Sequence, residues 1–467
     1  MVKDLTIGSP AKSLIKFSLP LIVATIFQQL YNLADSIIAG NVLGVDALSA
    51  TSVSFPVTMV YVAIALGGSA GASVVIARHM GAKEYGKMKT AVFTAMTMTL
   101  VLSAVLMLMG ELLCTPILKA LNTEDKIFND SASYLRIYTF GVAFVLLYNA
   151  ATAAFTAMGD SRAPLILLIC SSVLNVGLDL IFTVDAVGIR LGVSGLAWAT
   201  FIAQGIACLT SLIWLFIRLR KIRITEGDDT RVRPFSLPIA LSICRIAVPS
   251  VVQQLFIPVG QMFVQSIING FGSAVIAGYN SAVKVNTLCI ACNNMMSNAV
   301  SSFTAQNLGA DKPDRVRKGL KSAVLIVALM DIFFIAISLS LSRYLIALFA
   351  DSSDAQFEAM VAAGKQFLVI TSPFYIVVGV KLVLDGMLRG SGKMLLFMIG
   401  TVTDLIIRVI FSFILSPSLG FLGICWSYPI GWALGISATI TCFIIALKQI
   451  KRKSSIPTLS QNLPDKS

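Results

Sequence analysis

The sequence predicts an all-α polytopic membrane protein, with twelve transmembrane helices in two pseudo-symmetric six-helix bundles. Three observations predict it. Hydrophobic residues make up 57% of the 467 and charged residues only 13%, with a mean hydropathy of +0.86, whereas a soluble domain carries about 25% charged residues. Apolar runs of about the 20 residues needed to cross a bilayer recur twelve times. The second six runs repeat features of the first six.

In chain order the spans lie near residues 17–40, 48–77, 90–114, 132–157, 163–184 and 194–217, then 240–269, 276–305, 320–342, 365–388, 394–416 and 421–447. The basic start, with Lys3, Lys12 and Lys16, resembles the head of a signal peptide. The apolar run behind it is too long for a cleaved segment and reads as a retained first span. Pro20, Pro249 and Pro258 each remove a helical hydrogen bond, so a bend is expected at each. The stretch from Arg218 to Arg245 carries both signs of charge and reads as a linker. The expected domains are therefore an N-terminal lobe over 1–217, a cytoplasmic linker over 218–239, a C-terminal lobe over 240–450 and a cytoplasmic tail over 451–467.

Loop charge sets the expected orientation, because cytoplasmic connections are rich in Lys and Arg. With both termini inside, 27 of the 36 basic residues fall on the inner side and five on the outer. That bias accounts for the net charge of +13 through anionic inner-leaflet lipid, with no nucleic acid partner. The expected location is a bacterial plasma membrane, as a monomer in the lipid bilayer. His79, in an inner loop, reads as a solvated interfacial residue.

The repeat is visible in several motifs. Lys16-x-x-x-Pro20 matches Arg245-x-x-x-Pro249, and at an offset of 228 Gly81-Ala82-Lys83 matches Gly309-Ala310-Asp311. The same offset pairs Gly192-x-x-Gly195-x-x-Trp198 with Gly420-x-x-Gly423-x-x-Trp426. Six spans per half is an even number, so both halves start on one side and their pseudo-two-fold lies along the membrane normal. Two like-oriented bundles around a cleft suit alternating access.

The acids inside the spans are the functional candidates, since a carboxylate in hydrocarbon is costly unless protonated, hydrated or bound to a cation. Asp35 lies about 27 Å along the first span and Asp179 about 24 Å along the fifth, at 1.5 Å per residue. Asn175 is one turn below Asp179 on the same face, and Thr200 starts at a similar level on the sixth span. These four read as one polar cluster that can take a proton or a hard cation such as Na⁺. In the second half Asn175 and Asp179 correspond to Asp404 and Arg408, which read as an i, i+4 ion pair, and Lys381 and Asp385 have the same spacing. Lys284 and Asp331 have no local partner; pairing across helices and lining a cavity stay open as alternatives. Gln28, Gln29, Tyr31 and Asn32 on the first span, Gln253, Gln254, Gln261 and Gln265 on the seventh, and Asn293, Asn294, Met295 and Met296 on the eighth are candidates for a substrate cavity, with Lys284. Helix–helix hydrogen bonding is the competing role for each of them.

Enzymatic and metal chemistry are disfavoured. The single His and eight Cys show no ligand spacing, and the lone Cys289-x-x-Cys292 is flanked by apolar residues. No catalytic residues, no metal and no cofactor are expected beyond a transported H⁺ or Na⁺.

Specific motifs carry a family resemblance. Pro20 followed by Leu33-x-Asp35-Ser-Ile-Ile-Ala-Gly40, the loop Ala77-Arg-His-Met-Gly-Ala-Lys-Glu-Tyr-x-Lys87, Leu174-Asn-Val-Gly-Leu-Asp-Leu-Ile-Phe182 and Met387-Leu-Arg-Gly-Ser-Gly-Lys393 resemble the multidrug and toxic compound extrusion family. The resemblance implies a twelve-helix, two-lobe antiporter exporting small organic, often cationic and amphipathic, substrates against H⁺ or Na⁺. It is nearest the DinF-like branch, whose ion site is in the first lobe, because Val264 and Val378 stand where the NorM-like branch has acids in the second. A lipid-linked saccharide flippase of the wider superfamily is the alternative, and a polytopic membrane transferase ranks third.

Overall fold

In hydrocarbon every backbone N–H and C=O must be satisfied within the protein, and this chain meets the requirement with helices. The computed structural model describes residues 4–42, 44–121, 123–183, 192–224, 231–349 and 356–454, without the side chains of 32–52, 183, 192–193 and 450–454. The first bundle comprises α1 (Pro10–Val42), α2 (Gly44–Gly81), α3 (Tyr85–Ala120), α4 (Asp125–Ala157), α5 (Arg162–Thr183) and α6 (Gly192–Lys221). The second comprises α7 (Leu237–Ile268), α8 (Ser273–Gly309), α9 (Pro313–Ala347), α10 (Phe357–Thr371), α11 (Tyr375–Gly390), α12 (Met394–Leu419) and α13 (Phe421–Ser454). Twelve spans are long and apolar enough to cross a membrane, the tenth being α10 and α11 together.

That tenth span departs from the expected single helix. A 3₁₀ turn at Ser372–Phe374 divides it, because Pro373 has no N–H to give. By contrast α1 runs on through Pro20, and α7 through Pro249 and Pro258.

Consecutive spans alternate in direction. α1, α3, α5, α7, α9 and α12 begin at one face, which collects most of the Lys and Arg and is called the basic face below. At the opposite face Gly272 (φ 87°) and Gly420 (φ 60°) separate α7 from α8 and α12 from α13, in a backbone region that glycine enters without a Cβ penalty. At the basic face the repeat extends to backbone conformation. Lys83 (φ 60°) and Asp311 (φ 53°), 228 residues apart, are both left-handed. His79, expected to be solvated, is instead paired: its Nδ1 lies 2.7 Å from Glu84 Oε2.

α4 is the hub of the first bundle, packed on α2, α3 and α6, while α8 packs on α9, α10 and α11 in the second. Two helices make most of the contact between the bundles. α2 lies against α7 and α8, and α1 packs both on α5 and on α8 and α9. The approach of α2 is made by glycines: Gly67 touches Val251, Gly71 touches Ala247 and Ile243, and Gly81 meets the backbone of Gln306 with no room for a methyl group. Its repeat partner Gly309 meets the Arg78 carbonyl in the same way. Small residues let helices meet backbone to backbone, where dispersion replaces the hydrophobic effect that lipid cannot supply.

Polar bonds reinforce this seam. Gln306 Nε2 donates to the Ala157 carbonyl (2.7 Å) and its Oε1 accepts the Leu5 amide (3.1 Å). Arg78 donates to the Ser391 carbonyl at 3.3 Å. The chain ahead of α1 is fastened to the second bundle by Asn307 to the Leu5 carbonyl (3.2 Å), Lys312 to that of Thr6 (2.9 Å) and Arg315 to that of Ile7 (2.6 Å). Farther along α2, Tyr61 turns to Thr139 (3.3 Å) and Ser54 to the Ser131 carbonyl (3.4 Å), inside its own bundle. The contacts between bundles thus concentrate in the half of α2 nearest the basic face.

A side chain at position 81 is incompatible with this closure. Gly81→Val is expected to lengthen the distance between spin labels at Arg220 and Lys321, read by pulsed electron resonance on a cysteine-free background.

Candidate functional site

The first-lobe cluster is built on two parallel helices. α1 and α5 both start at the basic face, and the Tyr31 hydroxyl donates to Asn175 Oδ1, joining them. Asn175 and Asp179 are one turn apart, both buried, Asp179 completely so. Tyr31 and position 35 are likewise one turn apart on α1, so the hydrogen bond sets the 31/35 face of α1 against the 175/179 face of α5 at matching depth. The side chains of Asp35 and Asn32 lie outside the described residues. Asn175 Nδ2 is buried and has no hydrogen-bond partner among the described residues. Thr200 sits half-buried on α6 and, among the described residues, bonds to neither Asn175 nor Asp179.

The proposed cavity residues separate into different environments. Gln28 and Gln261 are exposed, and Gln265 is half-buried and donates to Asn269 Oδ1 at 2.9 Å. Lys284 is exposed, its ammonium 5.0 Å from the Phe349 ring centroid. Met295 is half-buried, its sulfur 3.8 Å from Asn298 Nδ2. Asn293 and Met296 are fully buried.

The second lobe uses the equivalent positions for charge neutralisation. Arg408 Nη2 donates to Asp404 Oδ1 at 2.9 Å, and Lys381 Nζ to Asp385 Oδ2 at 3.0 Å. Both pairs have the helical spacing read from the sequence. The pairs also merge, because Lys381 Nζ lies 3.9 Å from Asp404 Oδ2. Thr439 donates to Asp385 Oδ1 at 3.3 Å, and the Arg408 guanidinium stacks 4.6 Å from the Tyr428 ring centroid. Two cations and two anions buried together cancel, and α13 adds a hydroxyl to one and an aromatic face to the other.

Asp331 is a different case. It is fully buried, accepts Asn293 Nδ2 at 2.8 Å and the Cys289 thiol at 3.6 Å, and does not pair with Lys284. It is held across helices, from α9 to α8, by neutral donors and not by Lys284. Its partners lie 38 and 42 residues away in the chain, beyond any helical spacing rule.

Sequence comparison identifies the family. The MatE family signature matches residues 20–181 and 249–414, one segment in each bundle. The chain belongs to the MatE family. Among relatives, it is 27% identical over 432 residues to the probable multidrug resistance protein YoeA of Bacillus subtilis, covering 91% of each chain. It is 26% identical over 309 residues to the FAD transporter of Shewanella oneidensis, covering 66% of this chain and 67% of that one. Its fold matches an outward-facing multidrug resistance MATE family transporter of the MOP superfamily, with a TM-score of 0.87 at 24% identity, over 97% of this chain and 99% of the other. This MatE protein has twelve spans long and apolar enough to cross a membrane, and its relatives include a probable multidrug resistance protein and an FAD transporter.

The buried charge network makes a stability prediction. Lys381→Ala strands Asp385 without its cation and is expected to cost about 3–5 kcal/mol. Replacing both as Lys381→Met with Asp385→Leu should recover most of that loss, as read by thermal unfolding in detergent.

Proposed function

We propose that this MatE protein is an H⁺- or Na⁺-coupled antiporter that exports small amphipathic, often cationic, compounds by alternating access. The observation that carries the reading is the asymmetry at repeat-related positions. Asn175 and Asp179 offer an amide and an acid in the first lobe, where the second lobe has the internally neutralised Asp404 and Arg408. A charge already cancelled by its neighbour has little reason to exchange an ion. An acid beside an amide, a phenol and a second acid one turn along the facing helix has every reason to.

Coupling is assigned to Asp35, Asp179, Asn175 and Thr200, with Tyr31 as the group that holds α1 on α5. Two acids at one poorly hydrated level cannot both ionise cheaply, so occupancy by a proton or Na⁺ changes how tightly α1 is held. α1 also packs on α8 and α9, and that contact is a physical route from ion occupancy to the seam between lobes 1–217 and 240–450. The driving force is sufficient: about 1.4 kcal/mol per pH unit and about 2.3 kcal/mol per charge per 100 mV. The basic face is assigned to the cytoplasm of a bacterial plasma membrane by its excess of Lys and Arg. Under that assignment, closure at the basic face is the state that releases substrate outward. Gln28, Tyr31, Asn32, Gln261, Gln265, Lys284 and Met295 remain the cavity candidates, and the multidrug resistance relatives support a small organic cargo.

Everted vesicles test the reading. With H⁺ and Na⁺ gradients imposed separately, wild type is expected to move a fluorescent organic cation against one of them. Asp35→Asn should lower the rate at least tenfold, and Tyr31→Phe should lower it less. FAD in the same panel separates a dinucleotide exporter from an amphipath exporter. Transport driven by neither gradient, or abolished by Asp404→Asn while Asp35→Asn is intact, overturns the assignment.

A further inference from the structure

Asp331 stands apart from the other buried acids of the second lobe. Asp385 and Asp404 are each paired with a cation. Among the described residues no Lys, Arg or His reaches Asp331, and the titratable groups that face it are Cys289 and Cys292 on α8 and Tyr375 at the start of α11. Among the described residues, α1 and α10, which also pack on or beside α9, bring no ionisable group to it. Its Oδ1 is occupied by Asn293 and Cys289, whereas its Oδ2, equally buried, has no hydrogen-bond partner among the described residues. That oxygen lies against Gly379, where any Cβ would overlap it. An anion held this way would have no compensating charge and one unsolvated oxygen, which is costly.

Away from the basic face the surroundings of Asp331 carry hydroxyls. Ser338 and Ser342 follow Asp331 on α9 at intervals of two turns and one, both buried, leading away from the basic face. The Tyr375 hydroxyl is buried beside Ser338 and has no hydrogen-bond partner among the described residues. Toward the basic face Asp331 is followed by Val327, Ala323 and Phe303, all buried and apolar. The helix opposite is broken at Ser372–Phe374, directly before Tyr375. A 3₁₀ turn inside a long helix frees backbone groups and gives the span a point at which to bend.

We propose that Asp331 is a second proton-binding site, located in the second lobe, which exchanges its proton with the face opposite the basic one through the hydroxyls of Tyr375, Ser338 and Ser342. The step is a proton transfer: an O–H bond forms at Asp331 Oδ2 as one breaks on a donor water or hydroxyl, and the reverse occurs on release. The site is independent of which ion the first lobe takes. Motion about the Ser372–Phe374 turn, carrying Tyr375 with it, opens and closes the hydroxyl line.

Infrared difference spectroscopy of the full chain in liposomes tests this, comparing acid with alkaline buffer. Wild type is expected to show a protonated-carboxyl band that is lost at alkaline pH and absent in Asp331→Asn. Asn293→Ala should shift its frequency by removing the donor on Oδ1, which assigns the band even where Asp331→Asn does not fold. Ser338→Ala and Tyr375→Phe should keep the band and slow its deuterium exchange at least fivefold. A band assigned to Asp331 that is unchanged across the pH range marks a permanently neutral packing group and overturns the proposal. Exchange unaffected by both hydroxyl variants overturns the route. Asp35→Asn must leave the band in place, so this result is read separately from the first-lobe coupling test.

Discussion

The fold depends on a contact between two glycine-bearing helix ends. Where Gly81 meets the Gln306 backbone and Gly309 meets the Arg78 carbonyl, α2 and α8 touch without side chains between them. Lipid offers no hydrophobic drive for helices to associate, so close packing and buried polar bonds must do so. Gln306 supplies both: its carbonyl lies under Gly81, its amide nitrogen holds the end of α4 and its amide oxygen holds Leu5. A contact of this kind is either made or broken, because backbones in van der Waals contact cannot slide apart gradually while keeping their bonds. It gives the molecule a two-state character at the level of a few atoms.

Duplication explains the shape of the molecule but not its chemistry. The two halves share loop motifs, left-handed residues at Lys83 and Asp311, and helix order, yet they treat buried charge in opposite ways. The second half commits its acids to Lys381 and Arg408, forming a neutral knot of α11, α12 and α13. Breaking such a knot is destabilising, while its net contribution against an apolar replacement is small. Its value is positional, holding α11 and α12 in fixed register against α13. The first half keeps an amide and an acid against the α1 face, with Tyr31 as the bridge.

Features of short range along the chain were legible in the sequence. Hydropathy located all twelve spans, the offset of 228 gave the two bundles, and i, i+4 spacing identified both Lys381–Asp385 and Asp404–Arg408. Features that depend on tertiary contact were not. Nothing in the spacing of Lys381 and Asp404 announces that they approach to 3.9 Å. The same holds for Asn293 and Asp331, and for Leu5 and Gln306, which are 301 residues apart. The break at Ser372–Phe374 did have a local signal, Pro373 itself, but α1, α2, α3, α7, α12 and α13 also contain proline and continue through it. Whether a proline bends or breaks a helix depends on what the neighbouring helices offer the freed carbonyl.

The fastening of residues 4–8 to α8 and α9 bears on how the protein is made. Leu5 precedes the first helix, and its partners Gln306, Asn307 and Arg315 follow only after the first seven helices have been made. During that interval the start of the chain and the glycine face of α2 have nothing to bind, and the first bundle must persist in the membrane on the strength of α4 and its neighbours alone. The fastening of the chain ahead of α1 can therefore form only once α8 and α9 are in place.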